Sequence, residues 1–498
     1  MIIDWFSKWA VYRPDKIAIK EQESERVFSF QELNNYANQA SNYLSTEHKI
    51  TKGDRIAVLA ENCVEYIILF AAAQKMGFIL VPLNYRLSSA EINYLLQDAA
   101  PKLLLSEEQF QDKAIQTDFY ENGVSSFLVT ELMDRIQHQS TQLLGITNIQ
   151  VDDPIFILYT SGSTGFPKGA KYTHKMLFWN SVNTAISLIV NTESRAINCM
   201  PPFHTGGWNV LTTPFLHHGG YTCLMKKFDA KTMLDLIVSE RPTILFGVPT
   251  MMKMMADLPA FEQTDFSSIL YAIVGGEAMP VPLIEKWHEK GVFIRQGYGM
   301  TEVGPNLTSL HQDDAIRKRG SIGRPNFYVQ IKIVDENGAI CETNQAGELL
   351  LKGDVVTPGY WKNERATKAA IKDNWFHTGD IVRQDEAGYL YVVDRIKNMY
   401  ISGGENIYPA EVERVILGHP QISEVAIVAV ADEKWGEVGK AFVVRKEDAL
   451  STQQLASYCR EHLAKYKIPK YFEWVTTLPK NDTGKIDRKQ LKLKAQKL

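Results

Sequence analysis

The chain has 498 residues and a formal net charge of −4, from 54 Lys and Arg against 58 Asp and Glu. That length predicts two to four domains, and the balanced charge excludes the basic excess that a nucleic-acid binder carries. Five cysteines, at 63, 199, 223, 341 and 459, have no metal-like spacing; they read as reduced thiols, mostly buried, with no disulfide framework.

The opening "MIIDWFSKWAVYRPDK" carries charge early and lacks an apolar run of signal-peptide length, so a soluble, cytoplasmic protein is expected. The most apolar stretch, Tyr66 to Pro82, is interrupted by Gln74 and Lys75. A spanning helix needs about 20 apolar residues, so this stretch reads as a buried helix followed by a strand, and no transmembrane segment is expected. Apolar strand-like runs at 55–60, 78–83, 102–106, 155–160 and 243–248 alternate with helical patterns such as Phe30–Tyr43 and Ala90–Gln97. That alternation predicts an α/β fold, a large domain of helix-covered parallel sheets. From about Gly320 the texture changes. "VQIKIVDENGAI" and "GELLLKGDVV" alternate apolar and polar residues around Asn-Gly and Gly turns, which predicts a small antiparallel, barrel-like part. A last section of roughly a hundred residues, with an amphipathic helix around Leu455–Leu463, predicts a small α+β domain beyond a boundary near Lys397.

Four stretches carry chemistry. "YTSGSTGFPKG" follows the strand at 155–160, at the carboxyl end where open α/β sheets bind ligands. Its glycines expose amide N–H groups, its hydroxyls donate, and Lys168 supplies a mobile charge suited to polyphosphate. The Gly-Lys-Ser/Thr order of a Walker loop is absent, and on composition alone the stretch is equally a Gly/Ser surface loop. "QGYGMTE" crowds together an aromatic ring at Tyr298, a hydroxyl at Thr301 and a carboxylate at Glu302 fit for Mg²⁺. "TGD" places Asp380 as a carboxylate suited to paired ribose hydroxyls, or as a plain turn aspartate. "LPKNDTGKIDR" is a strong turn signal that projects Lys485.

Together with "WFHTGD" and "DRIKNMYISGGENIYPAEVE", these motifs stand in one order along almost the whole chain. In that combination the chain resembles the adenylate-forming, AMP-binding acid–CoA ligases. The resemblance is strongest to bacterial fatty-acyl-CoA synthetases, with o-succinylbenzoate–CoA ligase a close relative. It implies an AMP-forming acid–thiol ligase that uses ATP, Mg²⁺ and CoA. It further implies a domain at 1–394, a hinge at 395–398 centred on Lys397, and a mobile domain at 399–498 carrying a catalytic lysine. By the same resemblance, Thr160, Ser161, Gly162, Ser163, Thr164 and Lys168 hold the departing pyrophosphate. Gly275, Gly276, Glu277, Ala278, Tyr298 and Gly299 form the adenine pocket. Thr301 bonds the α-phosphate, Glu302 places the metal, and Asp380 and Arg395 address the ribose. Lys485 bridges substrate carboxylate and α-phosphate, and Gly403 and Gly404 line a CoA tunnel.

The acid is read from "PPFHTGGWNV". By the same resemblance His204 is expected beside the acyl carbonyl, and Trp208 at the acyl tunnel or else in core packing. The stretch has no acidic residue to pair with a buried ammonium, which argues against an amino acid. A medium- or long-chain fatty acid is the expectation. o-Succinylbenzoate, an aryl acid, or transfer to a carrier protein are the alternatives, and a homodimer stays open.

Overall fold

A computed structural model describes the chain except for residues 122, 146, 161–165, 277–278, 397, 403–404, 447–449, 464, 482–483 and 496–498. The chain forms two compact units, Met1–Ile331 with Leu351–Phe376, and Lys332–Leu350 with His377–Leu498.

The first unit is built on three sheets. A six-stranded sheet runs in the order Ser125–Leu128, Leu103–Ser106, Arg55–Leu59, Ile79–Pro82, Pro154–Thr160, Lys168–Thr173. Its first five strands are parallel and the last turns back antiparallel. A four-stranded sheet pairs Val27–Ser29, Ile17–Glu21, Tyr221–Leu224 and Arg195–Asn198. A five-stranded sheet begins with parallel Ile244–Gly247, Tyr271–Val274 and Ile294–Met300, then continues antiparallel through Gly304–Ser309. The apolar stretch at 66–82 resolves into helix Val64–Met76 and strand Ile79–Pro82, as its composition predicts. Every residue of that helix is buried, including Lys75. The charge is tolerated there because Lys75 Nζ is paired, with Asp4 at 2.7 Å and Asn34 at 2.8 Å. Among the described residues no helix is long and apolar enough to cross a membrane. All five cysteines are free, with Cys199, Cys223 and Cys459 buried.

Two histidines of this unit make its stability depend on pH. His174 opens the helix His174–Leu188 with neither ring nitrogen hydrogen-bonded, and burial holds its pKa down at about 4. His217 stacks on Trp5 at 4.2 Å and is held at about 3, by burial first and His218 second. A folded pKa below the unfolded one means that the unfolded chain takes up the extra proton in acid. The stability is complete above the unfolded value of about 6.5 and is lost as the pH falls toward the folded values. His174→Leu, similar in volume, should cost under about 1.5 kcal/mol near neutral pH. It should also flatten the loss of stability below pH 6.5, read by urea unfolding across a pH series. An unchanged slope would contradict this assignment.

The strands Gln330–Val334, Ala346–Lys352, Trp375–Gln384 and Leu390–Arg395 belong to a half-barrel sheet, the β part that the alternating pattern predicts, with Trp375–Gln384 and Leu390–Arg395 antiparallel. The second unit takes in residues ahead of Lys397 because Leu390–Arg395 pairs with Trp375–Gln384, Asp380 opposite Arg395. Beyond them lies a sheet of Glu405–Ile407, Tyr400–Ser402, Gly436–Arg445, Ile422–Asp432 and Tyr471–Trp474, with helices Pro409–Leu417, Thr452–His462 and Arg488–Ala495. Val412, Ile416, Ile427, Val443 and Leu455 form its core.

Candidate active site

The hairpin Pro154–Thr160/Lys168–Thr173 pairs Thr160 with Lys168, so the glycine-rich loop leaves and returns at one point. Ser161, Gly162, Ser163 and Thr164 lie outside the described residues. Behind the hairpin runs a strap, residues 357–361. Trp361 N–H donates to Gly169 O at 2.7 Å, Lys171 N–H to Gly359 O at 3.1 Å, and Thr357 Oγ1 to Lys171 O at 2.7 Å. Gly169 is required by this packing: a Cβ there would stand 2.6 Å from Ile157 Cγ2.

The second motif sits on strand Ile294–Met300, which ends in a 3₁₀ turn, Thr301–Val303, and returns as Gly304–Ser309. Gly299 has a packing reason of its own, because a Cβ would run into the Pro305 carbonyl. The turn is tied to the strap: Glu302 O accepts Thr357 N–H at 2.7 Å. The Glu302 carboxylate accepts the Tyr360 hydroxyl at 3.0 Å and, more weakly, that of Thr160 at 3.4 Å. Burial first, then the Glu302 charge, push the Tyr360 phenol up, so it stays a donor. Lys168 Nζ lies 5.4 Å from the Tyr360 ring centroid, within cation–π range.

Thr160, Lys168, Glu302 and Tyr360 therefore converge on one place. Tyr360 is absent from the sequence-derived set, although its Pro-Gly-Tyr-Trp setting marks a turn; nothing local points to a carboxylate so far away in the chain. The donors are oxygens, one carboxylate among hydroxyls, and among the described residues no three His, Cys, Asp or Glu gather. That fits Mg²⁺, which takes one or two carboxylates and completes its shell with water and substrate phosphates.

Gly275 and Gly276 follow strand Tyr271–Val274; Glu277 and Ala278 lie outside the described residues. Gly276 has φ +87°, and a Cβ on Gly275 would stand 3.5 Å from Gly297 O. The pair thus lies against the strand that bears the half-buried Tyr298.

His204 is the N-cap residue of the short helix Thr205–Asn209, its ring 4.4 Å from that of Phe203. The helix breaks at its end, and asparagine amides from three elements satisfy the carbonyls this exposes. Asn198 donates to Gly207 O at 2.8 Å, Asn180 to Asn209 O at 2.7 Å, and Asn306 to Val210 O at 3.1 Å. Trp208 is 2 % exposed, packs on Phe156, Phe70 and Tyr66, and donates its indole N–H to Pro202 O at 2.8 Å. It is held as a core residue. Trp208→Ala should therefore cost about 3–5 kcal/mol of stability, measured by denaturant unfolding. A loss below about 1 kcal/mol would contradict that packing.

In the second unit Asp380 is 2 % exposed, and Arg395 Nε stands 2.8 Å from its Oδ1. The paired strands bring the two together without any ligand. Lys485 is exposed in a turn closed on itself: its N–H donates to Asn481 Oδ1 at 3.0 Å, and Asn481 N–H donates to its carbonyl at 2.8 Å. Lys397, Gly403 and Gly404 lie outside the described residues, the glycines in the connection between paired Ser402 and Glu405.

Residues 6–361 match the family model described as AMP-binding enzyme, and residues 411–485 that of the AMP-binding enzyme C-terminal domain. The chain is 36% identical over 482 residues to the long-chain-fatty-acid–CoA ligase FadD13 of Mycobacterium tuberculosis, covering 96% of this chain and 95% of the relative. It is also 36% identical over 445 residues to a feruloyl-CoA synthase of an Amycolatopsis species, covering 88% of each. It resembles the solved o-succinylbenzoate CoA synthetase of Bacillus subtilis in complex with its acyl-adenylate intermediate, with a TM-score of 0.88, 34% identity and 98% of both chains covered. That protein has also been solved with ATP and magnesium ion, and there the TM-score is 0.88 at 33% identity, with 98% of this chain and 99% of that one covered.

Proposed function

The chain belongs to the family of AMP-binding enzymes, and from that premise we propose that it joins a medium- or long-chain fatty acid to CoA. It is an AMP-forming acid–CoA ligase that uses ATP, Mg²⁺ and CoA. In the first half-reaction a carboxylate oxygen attacks the α-phosphorus, and the bond to the pyrophosphate oxygen breaks. In the second, the CoA thiolate attacks the acyl carbonyl and AMP leaves with the electron pair. No protein group becomes covalently attached, so catalysis is positioning and charge stabilisation.

The roles divide as follows. Lys168 and Thr160, with the loop residues Ser161, Gly162, Ser163 and Thr164, receive the departing pyrophosphate. Tyr360 holds the Glu302 carboxylate in place, and Glu302 holds Mg²⁺, which supplies charge neutralisation on the phosphates when bound. Thr301 bonds the α-phosphate. Gly275, Gly276, Glu277, Ala278, Tyr298 and Gly299 take the adenine, and Asp380 and Arg395 the ribose. Lys485 is assigned to bridge substrate carboxylate and α-phosphate. For the second half-reaction, Lys397 is assigned as the hinge at 395–398 of a mobile C-terminal domain, and Gly403 and Gly404 to the CoA tunnel.

One observation carries the choice of acid. Residues 201–210 hold no Asp, Glu, Lys or Arg, and a Cβ on Gly206 would point at the Phe246 ring, 3.8 Å away. An uncharged wall of aromatic carbon suits an alkyl chain. A second reading has its own support. The exposed Arg86 guanidinium lies 5.6 Å from the Phe203 ring, which is tilted against the His204 ring at 4.4 Å. A cation there suits the second carboxylate of o-succinylbenzoate as well as a phosphate of CoA. A panel of saturated acids of 6 to about 18 carbons, ferulate and o-succinylbenzoate, scored by AMP release with and without CoA, separates the two readings. Turnover confined to the aromatic acids would overturn the fatty-acid proposal.

A further inference from the structure

The turn that presents Asp380 is held from behind by a carboxylate with no assigned role. Glu348 lies on strand Ala346–Lys352. Its Oε1 accepts the Gly379 N–H at 3.1 Å, and its Oε2 lies 2.8 Å from His377 Nδ1. The intervening Thr378 donates its hydroxyl to Leu349 O at 2.7 Å and accepts the Asp380 N–H at 3.0 Å. Residues 377, 378 and 379 are thus each tied to Glu348 or Leu349, and Gly379 is held at φ +68°, a conformation that resists other residues. Arg395 approaches Asp380 from the neighbouring strand. Arg395 meets the Asp380 carboxylate from the neighbouring strand, and the cradle holds the backbone that leads to it.

A carboxylate that is to grip two neighbouring ribose hydroxyls must hold its lone pairs at a fixed angle. A misplacement of about 1 Å is costly in such a site. We infer that Glu348 is a positioning residue for nucleotide selection: it fixes the His377–Gly379 turn so that Asp380 meets the ribose diol. This rests on the ribose role proposed for Asp380. A negative charge is not what the turn needs from Glu348, since its two contacts are hydrogen bonds to a backbone N–H and an imidazole nitrogen. Glu348→Gln therefore keeps the cradle. The Gln oxygen accepts the Gly379 N–H, and its amide donates to His377 Nδ1 in the other tautomer.

The test compares KM for ATP with KM for 2′,3′-dideoxy-ATP at saturating acid and CoA, in wild type, Glu348→Ala, Glu348→Gln and Asp380→Ala. Asp380→Ala should collapse the preference for ATP. Glu348→Ala should lower it about 10-fold, the effect of roughly one lost hydrogen bond, while KM for the acid stays unchanged. Glu348→Gln should retain it. Thr378→Val, which releases the turn from Leu349, should act like Glu348→Ala and stands in if that variant does not fold. A residue that only stabilises the sheet would lower the melting temperature and leave the ratio intact. If Asp380→Ala loses the preference but folded Glu348→Ala and Thr378→Val keep it, the inference is overturned. If Asp380→Ala itself keeps the preference, the ribose role falls, and the inference with it.

Discussion

In a Lys485→Ala variant, acyl-adenylate formation is expected to fall by ~10²–10³-fold, the size that loss of one preorganised charge donor produces, while thioester formation from supplied acyl-AMP persists. Attack at the α-phosphorus gathers negative charge on a crowded phosphate, and in the proposed scheme the lysine ammonium offsets it only in that step. The turn that carries Lys485 is closed through Asn481 by backbone groups of residue 485, so truncating the side chain removes the charge without opening the turn. Acid-dependent ATP–pyrophosphate exchange reads the first half-reaction. Conversion of synthetic acyl-AMP and CoA to thioester reads the second. Equal loss of both would contradict the scheme in which the lysine-bearing turn leaves the site between steps.

Glu302→Gln is expected to lower adenylation by a similar ~10²–10³-fold and to raise the Mg²⁺ concentration needed for half-maximal rate. The substitution is chosen because the Gln oxygen still accepts the Tyr360 hydroxyl, which now stands 3.0 Å from the carboxylate. Packing survives and the charge goes. Tyr360→Phe does the reverse, keeping the charge and deleting one hydrogen bond to it. Its expected cost is roughly 1.5–3 kcal/mol, about 10- to 150-fold. Glu302→Gln within about twofold of wild type would sink the metal-placing role, whatever Tyr360→Phe does.

The fold was legible where burial writes itself into composition. Runs such as 78–83 and 102–106 have nowhere polar to face, and they became the parallel strands Ile79–Pro82 and Leu103–Ser106. The interrupted stretch at 66–82 resolved as helix and strand because Lys75 could be paired inside. The motif loops were legible through their order along the chain. Contacts between distant segments were not. Tyr360 meets Glu302, and Glu348 meets Gly379, across sequence gaps that no local pattern spans. The same holds for the inclusion of residues 332–350 in the second unit, which follows from strand pairing. Trp208 shows the limit within one motif. Its spacing from His204 suited both a tunnel and a core, and only the rings of Phe70 and Phe156 around it show where it packs.

The central claim is a fatty acyl-adenylate made and consumed by one chain. The most direct measurement mixes enzyme, ATP, Mg²⁺ and dodecanoate without CoA, and identifies the bound product by mass spectrometry after rapid quenching. The account predicts dodecanoyl-AMP at up to one per enzyme, with pyrophosphate released, and its conversion to dodecanoyl-CoA and free AMP when CoA is added. Release of ADP in place of AMP, or an adenylate formed with ferulate or o-succinylbenzoate but with no fatty acid of any length, would contradict it.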